Sequence, residues 1–247
     1  TTAQFAGLSS TQGAALTTAQ LAVMETTDVA ALSPASVRAL GTDQINALTT
    51  SEITALTSTQ AGALSSTQVA GLNTAQIAAM ETADLRALTT LAVNALSTAQ
   101  VAVLGTDQFS ALTSAQVASL STAQVQALST GDIAALTTAQ AAALNSNQVA
   151  AMTTAQLAAM ETTDLRALTS TAIRALGTDQ IAALTTDQIG ALTTTQVNVL
   201  TSTQMAGLTT ADIVALTTAQ FAGLSSTQAA ALTTAQLVVM ETTDLAV

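Results

Sequence analysis

A chain of 247 residues whose nineteen charged side chains sum to −11 is badly matched to nucleic acid, which needs a basic face to displace phosphate counterions. The complete absence of Cys, His, Lys and Tyr excludes disulfides, thiolate chemistry and every Ser-His or Cys-His nucleophile arrangement. Apolar residues make up 49 % of the chain, but Thr, Ser and Gln interrupt them so often that no run nears the ~18 residues that would cross a bilayer.

Cut into eights from residue 1, the sequence falls into thirty full octads and a seven-residue thirty-first. Position 8 is Leu or Met in every full octad, from Leu8 to Met240, without an insertion. Position 1 is Thr or Ser in most, otherwise Asn, Gly or Glu, and position 4 is Gln, Asp or Glu in 28 of 31. In Leu16-Thr17-Thr18-Ala19-Gln20-Leu21, Thr17 and Gln20 have the spacing of a capping box, and Leu16 and Leu21 that of a hydrophobic staple. Both recur every eight residues, so the pattern predicts one capped helix of six or seven residues per octad, about 10 Å long. Helices this short do not persist alone, so neighbouring octads must hold them.

Taken in chain order, the octads agree with this reading. Glu25 and Asp28 place acid in a first turn, where the helix dipole favours it. Pro34 follows Ser33 and falls on the first helical position, where a missing N–H costs nothing. Arg38, Arg86, Arg166 and Arg174 all stand at position 6, in last turns. Position 5 carries Phe5, Phe109 and Phe221, three residues from position 8 and so on the same helical face. Position 7 is only Ala, Gly, Ser or Val, which lets another backbone come close. Positions 5, 7 and 8 are therefore expected to form a narrow core, with position 6 in solvent.

Met-Glu-Thr recurs at Met24, Met80, Met160 and Met240, each time followed by Asp28, Asp84, Asp164 or Asp244 at position 4. The next octad then lacks the acid or amide and has Ser36, Ala92 or Ala172. Residues 1–28 and 217–244 differ only at Gly13/Ala229 and Ala22/Val238, which points to duplication of multi-octad blocks.

Two other geometries compete with the helical solenoid. A single continuous helix would rotate its apolar stripe by about 80° per octad, so the leucines would circle it. A β-solenoid suits Thr, Val and Ile, but positions 5 and 8 would point to opposite faces of a strand. The expectation is an all-α solenoid or superhelix of very short capped helices, one per octad, with the β-solenoid as alternative. It runs as a single array over 1–247, with coils stacked into a rod of roughly 100–150 Å. The chain opens at position 1 and stops at position 7 of an octad, which suggests an internal piece of something longer.

Candidates for chemistry are few. Paired carboxylates such as Glu25 with Asp28 have the composition for acid–base work, but capping and the helix dipole already account for them. The same pairs offer calcium two oxygens where a loop site needs several more. Rows of Thr at position 2 are the other candidate, for ordering water or binding ice. No catalytic, cofactor-binding or metal residue is assigned, and no enzyme activity is expected.

The pattern Leu-Thr-Thr-Ala-Gln-[Ile/Val]-Ala-Ala, found in near variants at 136–143 and 184–191, resembles octapeptide-rich stretches of very long bacterial surface, adhesin-like or haem-utilisation proteins. The likeness covers the whole chain and attaches to the repeat, with no catalytic or binding residue. It implies a secreted or surface-displayed stalk or scaffold in bacteria. Its partner would lie on a host or cell surface, and its array ends would be open to self-association. The binding-module alternative keeps calcium along the Glu/Asp octads or ice along the Thr rows.

Overall fold

The computed structural model describes residues 1–240, and there it holds thirty short helices and no strand, so the β-solenoid is not what this sequence forms. The helices, α1 (Thr2–Ala6) to α30 (Thr234–Val238), follow the octads one for one. They are four to six residues long rather than six or seven. The reason is the backbone at each junction. Leu72 (φ −64, ψ 141) and the cap residue after it, Asn73 (φ −79, ψ 166), are both extended, so two residues per octad serve as the link. Among the described residues no φ is positive, and the chain reverses without a glycine turn.

The capping boxes form as the spacing predicts. The N–H of Thr17 donates to Gln20 Oε1 at 2.8 Å, and the N–H of Gln20 donates to Thr17 Oγ1 at 3.2 Å. Most octads repeat the pair, at about 1 kcal/mol for each cap. Pro34 occupies the first turn of α5 (Pro34–Ala39), as expected. At the other end of each octad the N–H of position 8 donates to the position 5 carbonyl, as in Leu72 to Val69 at 3.2 Å.

Contacts divide the chain into two units, Thr1–Leu128 and a second beginning at Ser129. In the first, α5 packs against α2 (Ser10–Ala14) and α8 (Ser58–Ala63), and α8 against α11 (Thr82–Ala87). In the second, α21 (Thr162–Ala167) packs against α18 (Thr138–Ala143) and α24 (Thr186–Ala191). Within each unit a helix therefore meets the helix three octads away.

The core differs from the expected one. Positions 5 and 8 are buried, as at Val69 (0 % exposed), Leu72 (4 %), Ile77 (0 %) and Met80 (3 %). Position 4 joins them, with Gln68 at 3 % and Gln76 at 1 %. Position 7 is only half-buried, because it lies at the seam between coils and not inside one. A Cβ on Gly71 would sit 3.3 Å from the Thr42 side chain, three octads earlier. Small residues at position 7 thus answer to a close approach, as the composition implied. Position 6 is exposed, yet its donors reach across the seam. Arg38 Nη1 donates to the Ala63 carbonyl at 3.2 Å, and Thr54 Oγ1 to Ala79 at 3.1 Å.

Candidate functional site

The side chain that organises the array is the buried glutamine at position 4. Its Oε1 is the acceptor of the capping box, which leaves Nε2 free to point outward from its own helix. Gln68 Nε2 donates to the carbonyls of Val37 at 2.9 Å, Arg38 at 3.3 Å and Leu40 at 2.7 Å. These are positions 5, 6 and 8 of the octad four repeats earlier, at the helix end where carbonyls keep spare acceptor capacity; position 5 takes the amide in addition to the position 8 N–H. Gln76, Gln100 and Gln116 repeat the triplet in the first unit. Gln180, Gln188 and Gln196 repeat it in the second. Each amide therefore closes the N-terminus of its own helix and the C-terminus of another. With helix contacts at three octads and amide contacts at four, one coil takes between three and four octads.

Sequence reasoning assigned these glutamines to capping alone. A signal for the second role was present: glutamate suits a capping box as well as glutamine, yet position 4 holds Gln twenty-one times and Glu once. Only the amide supplies a donor.

The ladder has gaps where position 4 is not Gln. Ser36 partly bridges one, its Oγ donating to the Leu8 carbonyl at 2.9 Å. Ala92 and Ala172 are fully buried and have no donor to offer. Glu52, Asp84, Asp132, Asp164 and Asp212 are each 2 % exposed. Glu52, Asp132 and Asp212 use one carboxylate oxygen in a capping box, as in Ser129 N–H to Asp132 Oδ2 at 2.9 Å. Asp84 and Asp164 do not. Asp84 Oδ1 instead accepts from Ser58 Oγ at 2.8 Å, and Asp164 Oδ1 from Thr138 Oγ1 at 2.9 Å. Glu52 Oε1, Asp84 Oδ2, Asp132 Oδ1 and Asp164 Oδ2 are buried with no hydrogen-bond partner. Burial raises the pKa of Asp84 and Asp164 above the ordinary aspartate value. The hydroxyl bond offsets part of that rise, and the preceding Glu81 or Glu161 adds to it.

The Glu-x-x-Asp pairs thus split by environment. Glu25 and Asp28 line an open groove at the first coil together with Phe5, Leu16, Val23 and Met24. In the two interior pairs the aspartate is buried between coils. Glu241 and Asp244 lie outside the described residues. No three acidic residues come together as a metal cluster among the described residues, and no helix there is long and apolar enough to cross a membrane. The threonines singled out for ice do not form one uniform row, since position 2 at Ser58 and Thr138 is engaged by an aspartate.

No curated protein matches the chain. The model of the ALTTAQ repeat matches residues 21–58, 77–114, 110–138, 127–160, 157–194 and 208–242, which together cover well over half of it. Its description spells the stretch from position 7 of one octad to position 4 of the next, ending on the ladder glutamine. With the octad phase, the caps and the amide ladder in agreement, the chain belongs to the ALTTAQ repeat family.

Proposed function

We propose that this array is a non-catalytic spacer or scaffold within a secreted or surface-displayed adhesin-like protein of bacteria. The observation that carries the reading is the use made of position 4. Its amides close on the backbone of the array itself, so the most regular polar side chain in the chain is spent on architecture. Membership of a repeat family accords with this, and so does the absence of the side chains that nucleophilic catalysis uses most. A host or cell surface is the partner class, with array ends as contacts for self-association.

The test is an in-phase deletion of residues 81–160 from the protein as its bacterium makes it. This removes ten octads from one Met-Glu-Thr block to the next. The shortened protein should still reach the cell surface and fold. Immunogold label on a tag beyond the array should then lie closer to the envelope. Label confined to the cytoplasm, or an unchanged label distance, would sink the reading. Calcium binding by calorimetry, or thermal hysteresis of ice growth, would replace it with the binding-module alternative.

A further inference from the structure

Asp84 and Asp164 occupy the seat that glutamine holds in other octads. For Asp84 the facing carbonyls, four octads earlier, are those of Ile53, Thr54 and Leu56. For Asp164 they are those of Ile133, Ala134 and Leu136. In the glutamine octads such carbonyls receive an amide at 2.7–3.3 Å. Opposite Asp84 and Asp164 no side chain donates to them among the described residues. An ionised carboxylate cannot donate either, since it only accepts. Each aspartate also keeps one buried oxygen without a partner. Ile53 and Ile133 keep the backbone N–H of position 8, but the carbonyls of Leu56 and Leu136 lack the amide that position 4 supplies elsewhere, and the aspartate at that position keeps an unfilled oxygen, at equivalent places in two separate units.

We propose that Asp84 and Asp164 are proton-operated latches: a proton on the unpartnered carboxylate oxygen makes it the donor that glutamine provides elsewhere, and joins each coil to the one before it. The step is a simple protonation. A proton from solvent binds Oδ2, the charge falls from −1 to zero, and the O–H then donates toward the carbonyls of the earlier octad. The hydroxyl of Ser58 or Thr138 holds the other oxygen and orients the group.

The charged surroundings favour this. Around Asp84, its own octad carries Glu81 at the N-cap and Arg86, α7 (Thr50–Thr54) carries Glu52, and α14 (Thr106–Ser110) carries Asp107; α8 carries no titratable group. Around Asp164, its own octad carries Glu161 at the N-cap and Arg166, α17 (Thr130–Ala134) carries Asp132, α22 (Ser170–Arg174) carries Arg174, and α24 carries Asp187; α18 has none. Among these, Glu81 and Glu161 act on the aspartates, and both push toward the protonated form. A proton needs no cavity and no further ligands, whereas a cation needs both, and no acidic cluster gathers there.

The sign of the pH dependence follows. The folded chain holds these protons more tightly than the unfolded chain, where aspartate titrates near about 3.9. The contribution is therefore complete below that value and is lost as pH rises through the higher folded value.

The test follows each aspartate carboxyl carbon by NMR through a titration of the whole chain. It also compares thermal midpoints of the parent, Asp84→Asn/Asp164→Asn and Asp84→Gln/Asp164→Gln. Both carboxyls should titrate above the unfolded value. The parent midpoint should climb as pH falls through the raised folded value, and both double variants should lose most of that slope. Titration at the ordinary value overturns the proposal, as it would if buried water filled the seat. An equal slope in parent and variants overturns it too. So does a parent midpoint at pH 7 that calcium chloride raises while leaving the variants unmoved, because a cation would then be the occupant.

Discussion

Gln60 and Leu32 stand twenty-eight residues apart in sequence, and Gln60 Nε2 donates to the Leu32 carbonyl at 2.7 Å. The same amide reaches Val29 at 2.8 Å, while its oxygen accepts from the Thr57 N–H at 2.7 Å. One planar group therefore sets both the start of a helix and the spacing of coils.

Replacing it separates the two roles. Gln60→Glu keeps an acceptor for the Thr57 N–H and removes the donor to the earlier coil. Carbonyls that lose their amide donor, and a buried carboxylate in its place, should cost about 1–3 kcal/mol at neutral pH. Urea unfolding should show the lower midpoint. A Gln60→Glu protein as stable as the parent would mean that the cap is the whole contribution of position 4.

That division also marks what the sequence could reveal. The box between Thr57 and Gln60 spans three residues, so its partners can be read from spacing alone. The bond from Gln60 to Leu32 cannot, because it exists only once the coil has closed at between three and four octads. Nothing local fixes that number. Position 7 departs from the core pattern for a related reason. Alanine there looks like core, but its smallness serves the seam, where a coil neighbour such as Thr42 comes within van der Waals contact of Gly71. Positions 5 and 8 were legible because their burial follows from helix periodicity within one octad.

The seam gives a second prediction. A Cβ on Gly207 would meet the Thr178 side chain at an ordinary 3.6 Å, and φ there is not positive. Gly207→Ala should therefore stabilise the chain by roughly 0.4–1 kcal/mol, through a less flexible unfolded state. Gly62→Ala should gain less, because its Cβ would come 3.0 Å from the Ala87 carbonyl and that backbone must shift. Thermal midpoints decide it: a greater gain at Gly62 than at Gly207 would contradict the seam geometry.

Core and surface should separate clearly. Leu72 is 4 % exposed, and its carbonyl also takes the amide of Gln100 at 2.7 Å. Leu72→Asp buries a carboxylate with no partner and should cost several kcal/mol. Arg166→Ala removes an exposed position 6 side chain and should change stability by under ~0.5 kcal/mol. Because each octad touches only near neighbours, stability sums over units and interfaces. Hydrogen exchange should accordingly show Leu72→Asp opening the octads within about four repeats while distant ones keep their protection. Uniform loss across residues 1–240 would show instead that the array unfolds as one cooperative block.

The last prediction concerns the alanines that follow the two latch aspartates. By the register of the ladder, Ala92 stands four octads after Ala61, Gly62 and Leu64, the positions whose carbonyls amides bind in other octads, and its methyl side chain has no donor for them. Together with Asp84 it leaves two successive rungs of the ladder open. Local opening should therefore start there, and amide exchange in the octads around 81–96 should outpace that around 65–80, whose glutamines Gln68 and Gln76 are fully bonded. Ala92→Gln should close one rung. A net hydrogen bond contributes about 0.5–1.5 kcal/mol, and the new side chain would also cap its own helix, since Thr89 already accepts from the residue 92 N–H at 3.1 Å. The variant should melt at a higher temperature and slow exchange at residues 61–64. If it destabilises the chain, the coils have closed over Ala92 too tightly to admit an amide, and the missing rungs are a packing requirement rather than a weak point in the ladder.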